Sequence, residues 1–400
     1  MFRVLLVTSV VMAAQAHALW VDESFESGDL DAGGWSSAAV TGVTVTVDPA
    51  AAHRGQFGLR TVDSETTLES TPGATVAVSL PDLPSALYSR FWVRIPSRQG
   101  DQAFEFMSLF ASGTTAQGTV ETVDVSSTGD LVLIAQPLDL TGAVGYAAQS
   151  STVVMSDGGW HLLEIAAFGL GSDAGLLVSY ADGAEAARIS GIPAWEHSAA
   201  QLLLGETWAS TYVAQNFTGI IDMDDVRVDV SPLASRLVLT ARASVLAGQC
   251  APLSVALAAT AALEDGGAVS NVPAPYAVSF EVAGVPVYSD AQCNQALTTP
   301  VLASQSAGTT VYARFSDAGA LTVTVAQVPP ADFLPSTLAL SVSAADGGVD
   351  AGGTLAPDGG VPTVEESYYA MHCGVASNSP CAVTLLVALW WVRRRAVWAN

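Results

Sequence analysis

Short runs in which β-branched and apolar residues alternate with polar ones, each ended by Gly, Pro, Asp or Ser, restrict what this chain can fold into. Val43-Thr-Val-Thr-Val47, Thr75 to Leu80, Ser89 to Ile95, Leu131 to Ile134, Leu176 to Tyr180 and Ile220 to Val230 are the clearest. A period of two puts successive side chains on opposite faces of a strand, whereas an amphipathic helix needs apolar residues every three to four positions over a longer window. Few stretches hold that longer period, so the chain is predicted to be all-β. About 330 residues lie between the two terminal segments, which suggests two β-domains divided near Ser231-Pro232. The expected order is 1–18, 19–231, 232–345, 346–367 and 368–400.

The first of these segments has the three parts of a secretory signal peptide. Arg3 is followed by the apolar stretch Val4 to Ala14 and by the small-residue site Ala16-His17-Ala18, which predicts cleavage after Ala18. At the other end, Cys373-Gly374 is followed by a Ser/Asn/Pro spacer, the apolar run Ala382 to Val392 and Arg393-Arg394-Arg395. The run is 11 residues long, against roughly 20 for a helix that crosses a hydrocarbon core. Its arginines have the sign expected on a cytoplasmic face, and Trp390-Trp391 lie where interfacial aromatics are favoured. These residues, from Tyr369 through the Arg cluster, resemble the MYXO-CTERM surface-sorting signal of myxobacteria. The resemblance implies removal of the tail near Cys373 by an intramembrane sorting protease and anchoring at the cell surface or outer membrane. The alternative is an ordinary C-terminal membrane anchor with Cys373 bonded to Cys381.

Every one of the 14 basic residues is Arg, and 38 Asp and Glu bring the net charge to −24. Nucleic acid is therefore not an expected partner, since binding it needs a cationic footprint. Four Cys permit three pairings, and position separates them into Cys250 with Cys293 and Cys373 with Cys381. The first pair falls within one domain, and an exported chain meets an oxidising compartment, so a disulfide is expected there.

Residues 19–231 carry Phe25-Glu26-Ser-Gly28, Gly34-Trp35, His53-Arg54-Gly55, Ser89-Arg-Phe-Trp-Val-Arg94, Trp160-His161 and Ile221-Asp222-Met-Asp224-Asp225-Val226, in that order. These landmarks resemble the concanavalin-like jelly rolls of laminin-G-like and polysaccharide-lyase-like secreted proteins. Two face-to-face sheets are then expected, with Trp35, Phe57, Phe91, Trp92, Trp160 and Phe168 between them. The resemblance further implies a structural calcium held by Glu26, Asp222, Asp224 and Asp225, completed to six to eight oxygens by carbonyls and water. It also implies an enzyme site on a concave sheet, for which Arg90, Arg94, Glu105, His161, Glu164 and Tyr180 are the candidates. A glycosidase needs two carboxylates at set separations, and a lyase needs a base plus a cation to neutralise the substrate carboxylate. No GxSxG, HExxH or Gly-rich phosphate loop is present, so no catalytic residue is assigned.

In residues 232–345, Gly248-Gln-Cys250, Tyr276 to Val282, Val287 to Cys293, Thr309 to Phe315 and Gly319 to Val325 resemble a bacterial immunoglobulin-like domain of surface proteins. Strand number and turn spacing fit a sandwich independently. Its expected role is a spacer. Residues 346–367 are rich in Gly, Asp and Pro and are expected to form a flexible acidic linker.

The fold class expected is thus an all-β jelly-roll sandwich followed by an immunoglobulin-like sandwich and a C-terminal apolar sorting segment. Its expected function is non-enzymatic binding or adhesion at the cell surface, with an extracellular polysaccharide as partner. A surface polysaccharide lyase or glycoside hydrolase, and a structural envelope protein, are the alternatives.

Overall fold

The computed structural model describes residues 20–344, apart from 40–41, 65–73, 81–85, 100–103, 113–116, 126–130, 137, 140–141, 144–145, 148–153, 170–173, 193–198, 207–217, 243, 261–268 and 271. The signal peptide, the acidic linker, and Cys373, Gly374 and Arg393 to Arg395 of the sorting tail lie outside the described residues.

Secondary structure among these residues is strand, with two short 3-10 turns. The first sandwich comprises β1 (Val21–Glu23), β2 (Ser36–Ala39), β3 (Val43–Asp48), β4 (Gly58–Asp63), β5 (Ala74–Leu80), β6 (Ala86–Gln99), β7 (Phe104–Ser112), β8 (Gln117–Val125) and β9 (Leu131–Gln136). It continues with the small pair β10 (Leu138–Asp139) and β11 (Gly142–Ala143), then β12 (Tyr146–Ala147), β13 (His161–Phe168), β14 (Gly175–Ala181), β15 (Ala184–Ile192), β16 (Ala199–Gly205) and β17 (Thr218–Asp229). One sheet has the order β15-β14-β13-β6-β17-β4-β3, with β1 also on β17, and the other has β12-β9-β8-β7-β16-β5-β2. The pairings within both are antiparallel, and neighbours such as β6 with β17 are far apart in sequence. This is a jelly-roll sandwich.

Its core follows from the pleat. Phe91, Val93 and Ile95 of β6, Leu163 and Ile165 of β13 and Ile221 and Met223 of β17 meet Val76 and Leu80 of β5, Met107 and Leu109 of β7 and Leu202 and Leu204 of β16. Trp35 and Phe91 belong to that filling, but Trp92 and Phe168 do not. Phe91 and Trp92 are adjacent in one strand and must point to opposite faces, so Trp92 lies on the outer side of the first sheet. There its ring stacks on His53 at 4.0 Å, and Trp160 meets the same imidazole edge-on at 5.2 Å. Phe168 packs outside the sheet with Tyr88 and Tyr180. The sequence expectation that all six aromatics fill the interior is corrected accordingly.

The second sandwich comprises β18 (Arg236–Ala241), β19 (Ser244–Leu246), β20 (Cys250–Ala259), β21 (Val269–Ser270), β22 (Val278–Ala283), β23 (Val287–Tyr288), β24 (Val301–Leu302), β25 (Gly308–Arg314), β26 (Gly319–Gln327) and β27 (Ser336–Ser343). Its sheets run β18-β20-β25-β23, with β21 on β20, and β19-β27-β26-β22-β24. They enclose a separate core of Leu237, Leu253, Val255, Phe280, Phe315 and Val323 among others. This is the immunoglobulin-like sandwich, and Cys250 and Cys293 form its disulfide, 43 positions apart in sequence. A crosslink closing such a loop stabilises by roughly 2–4 kcal/mol, largely through the unfolded state. Residues up to Asp346 cluster as one compact unit, so the two sandwiches are in contact.

Candidate functional site

The outer face of the first sheet gathers most residues that the sequence singled out. Along β6, alternation points Tyr88, Arg90, Trp92 and Arg94 outward. Opposite them, the pairing of β17 with β6 has two register shifts, one between Ile220 and Asp222 with the extra residue in β6 and one between Asp224 and Arg227 with the extra residue in β17. The second shift accompanies a left-handed backbone at Asp225, with φ of 51°. A bulge of this kind lets neighbouring residues share one side of a strand. Asp222, Asp224 and Arg227 stand on the outer face opposite Arg94, Trp92 and Arg90 of β6, and Asp225 joins them there by bonding Arg54.

Each of the four carboxylates expected to hold calcium already has partners. Asp222, fully buried, accepts from Arg60 Nε at 2.7 Å and Nη2 at 2.9 Å and from Arg94 Nε at 2.9 Å. Both arginines also donate to the Ala50 carbonyl, which fixes the 3-10 turn Pro49–Ala51 above them. Asp224 accepts from the backbone N–H groups of His53 and Arg54 at 2.9 and 3.0 Å and from that of Asp225 at 2.7 Å. Burial, with Asp225 beside it, pushes the Asp224 carboxyl up to about 8 despite these donors. Asp225 takes Arg54 in a two-pronged contact, Nη2 at 2.7 Å and Nε at 3.3 Å. Burial would raise its titration point, but the nearby His53 imidazole, 3.6 Å away, and the hydrogen-bonded Arg54 guanidinium hold it below the usual carboxylate range.

Glu26 accepts from the N–H groups of Gln56 and Phe57 at 2.9 to 3.1 Å. A side chain at Gly55 would collide with that carboxylate, and Gly55 itself has φ of +82°. Calcium needs six to eight free oxygen donors. These carboxylates, turned to guanidinium and N–H groups, do not fit that shell, and no three His, Cys, Asp or Glu among the described residues are grouped to hold a metal.

The rest of this face is covered by the second sandwich. Asp332, just before β27 and fully buried, accepts from Arg90 through both its carbonyl and its side chain, from Arg227 Nη1 at 2.9 Å and from Tyr276 Oη at 2.6 Å. Gln327 Oε1 takes the N–H groups of Asp332 and Phe333 and so fixes the loop. The Arg54 guanidinium lies over the Tyr276 ring at 4.7 Å and that of Arg90 over Phe333 at 5.2 Å, so cations and rings interleave across the contact. Arg227 continues the chain back to Asp22 of β1 at 3.0 Å. Burial would raise the Asp332 carboxyl, but Arg90 and Arg227 hold it well below the usual range. Beside this network, Glu164 Oε1 accepts from the Thr260 N–H at 3.3 Å, and Tyr88, Ala166, Val178 and Tyr180 pack on Leu233.

Of the six candidate reactive groups, Arg90, Glu164 and Tyr180 stand side by side in register across β6, β13 and β14, and the other three lie apart from them. Arg90, Glu164 and Tyr180 are buried beneath the second sandwich, Arg94 is tied to Asp222, and Glu105 belongs to β7 in the other sheet. His161 stands apart, bonded through Nδ1 to Asp182 at 2.8 Å and through Nε2 to Asp157 at 3.1 Å. Asp182 and then Asp157 raise its pKa, against the opposing effect of burial. Sequence reading missed Asp332 and Tyr276, which lie in the second sandwich 242 residues from Arg90 and 222 from Arg54, with no motif around them.

No family model matches this chain, and no curated protein matches it in sequence. Solved structures with some likeness include an endo-β-1,4-glucuronan lyase from the fungus Trichoderma reesei, at TM-score 0.43 and 14% identity over 54% of this chain and 96% of that one. An alginate lyase from Pseudomonas aeruginosa gives 0.32 and 13% over 44% and 83%. The receptor-binding domain of botulinum neurotoxin type G gives 0.34 and 9% over 77% and 72%. What fold and site define is a two-sandwich β-protein with one jelly-roll face closed by its own second domain.

Proposed function

We propose that this is an exported, surface-anchored, non-enzymatic binding or adhesion protein whose jelly roll engages a polysaccharide. The observation that carries this reading is the closure of the first sheet. Arg90, Glu164 and Tyr180, the three candidate reactive groups that stand side by side, are buried against the second sandwich with Asp332, Thr260 and Leu233 over them. A general acid or base must come within hydrogen-bond reach of substrate, and a polymer has no path to these three. The outward side of the second sheet is then the face left to meet a ligand. Export and anchoring rest on the signal-peptide pattern and the Cys-Gly, apolar, Arg-triplet tail.

The test is a polysaccharide array run together with a turnover assay on the full chain. Expected is retention of at least one polymer with no new reducing or unsaturated ends. Appearance of such ends would move the protein to the lyase or hydrolase class. Neither binding nor turnover would leave a structural envelope role.

A further inference from the structure

Resting on the glycan-binding reading above, we propose that the polymer is uncharged: a neutral polysaccharide lies across β2, β5 and β16, and polyuronates and sulfated glycans are refused. Charge is distributed very unevenly between the two sheets. Each arginine within a strand of the first sandwich is in the first sheet, at positions 60, 90, 94, 98, 188 and 227. Arg60, Arg90, Arg94, Arg188 and Arg227 are each paired with a carboxylate there. The strands of the second sheet contain no Arg, Lys or His. Between Arg98 and Arg188 the chain has no Arg or Lys at all, against 11 Asp and Glu. An anionic polymer is held by guanidinium or ammonium groups, and on a chain of net charge −24 it meets repulsion that nothing in this sheet offsets.

The three adjacent strands β2, β5 and β16 go further, having no charged residue of either sign. Since Trp35, Val76, Leu202 and Leu204 point into the core, alternation turns Ser36, Thr75, Ala77, Ser79, Gln201 and Leu203 outward. Ser79 and Gln201 are exposed cross-strand partners, and Leu203, Ala77 and Ser36 lie side by side in register. Hydroxyl and amide groups that both donate and accept suit sugar hydroxyls, while the small side chains keep the shelf flat. At the rim, β2 is an edge strand with all four residues exposed and uncharged. Such edges are ordinarily guarded by charge or covered, and a ligand along this strip provides the cover.

Binding of the full chain is to be measured at 0.15 M salt to neutral glucan, xylan, arabinan and galactomannan, and to the carboxymethylated and aminated form of each. The expected result is binding to a neutral polymer that weakens about tenfold or more on carboxymethylation, like charge against like. Placing arginines on the strip, Ser79→Arg with Gln201→Arg, should reverse that order while the melting temperature stays unchanged. Equal or tighter binding of the carboxymethylated form, or a clear preference for the aminated form, overturns the proposal yet leaves a glycan-binding protein. Failure of every polymer to bind, charged or not, removes the glycan-binding reading itself.

Discussion

Asp222 shows at the residue scale how a carboxylate that reads as a metal ligand in sequence acquires another role. Two guanidinium groups, from Arg60 and Arg94, meet it with no exposed surface left on the aspartate. Removing one partner of a buried ion pair leaves charge uncompensated, at a cost of about 3–5 kcal/mol. Asp222→Asn is expected to lose stability of that order in urea titrations, and chelator or added calcium should leave the native melting temperature unmoved. A rise in melting temperature with calcium would restore the metal reading. His161 makes a second prediction. Its pKa is raised by Asp182 and then Asp157 over the ordinary value near 6.5. A raised base stabilises fully below its unfolded value and loses that contribution as pH climbs through its folded value. The melting temperature should therefore fall as pH rises above about 6.5, and His161→Gln should flatten this slope. An unchanged slope in the variant would show that His161 carries none of it.

At the scale of strands, much was legible. Val43 to Val47, Thr75 to Leu80 and Leu176 to Tyr180 all fall within strands β3, β5 and β14, because alternation is a property of local sequence. The pairing of Cys250 with Cys293 was legible too, since each lay in the same domain-sized segment. Which face of β6 is internal was not, because Phe91 and Trp92 are both apolar and neighbour each other, and only the opposing sheet decides between them. The bulge in β17 was likewise hidden, as no residue type demands it. Between elements, Asp63 at the end of β4 and Glu206 just after β16 link the two sheets through a hydrogen bond between buried carboxyl groups. Burial, and then Asp63, push Glu206 up to about 8, so near neutrality it keeps a proton. A raised acid gives its full contribution below its unfolded value near 4.3 and loses it as pH passes through about 8. The native protein is expected to lose stability as pH rises from about 4.3 to about 8, and Glu206→Gln, which keeps a neutral donor in place, should lose less. Parallel pH dependence of both proteins in denaturant titrations would count against a shared proton.

At the scale of the whole molecule, the second sandwich is less a spacer than a permanent cover, and Asp332 is the group that makes it so. Its two sandwiches have separate cores, and separate cores by themselves predict separate unfolding. What couples them is a contact in which Arg90, Arg227 and Tyr276 converge on one buried carboxylate, flanked by Leu233 over the first sheet. Removing that carboxylate takes away the anion shared by two buried guanidinium groups, leaving Arg227 with Asp22 and Arg90 with the backbone carbonyl of residue 332, a loss of up to roughly 3–5 kcal/mol that falls on the contact and spares both cores. Calorimetry of the native chain should show one transition over the described unit, and Asp332→Ala should split it in two. Asp332 titrates well below the usual range, held there by Arg90 and Arg227 against burial. Its stabilisation is therefore present above the ordinary carboxylate value near 3.9 and disappears only as pH falls through the lower folded value. A native protein scanned at pH 4 should still melt as one unit, whereas two native transitions at pH 7 would show that the junction adds too little to couple the sandwiches.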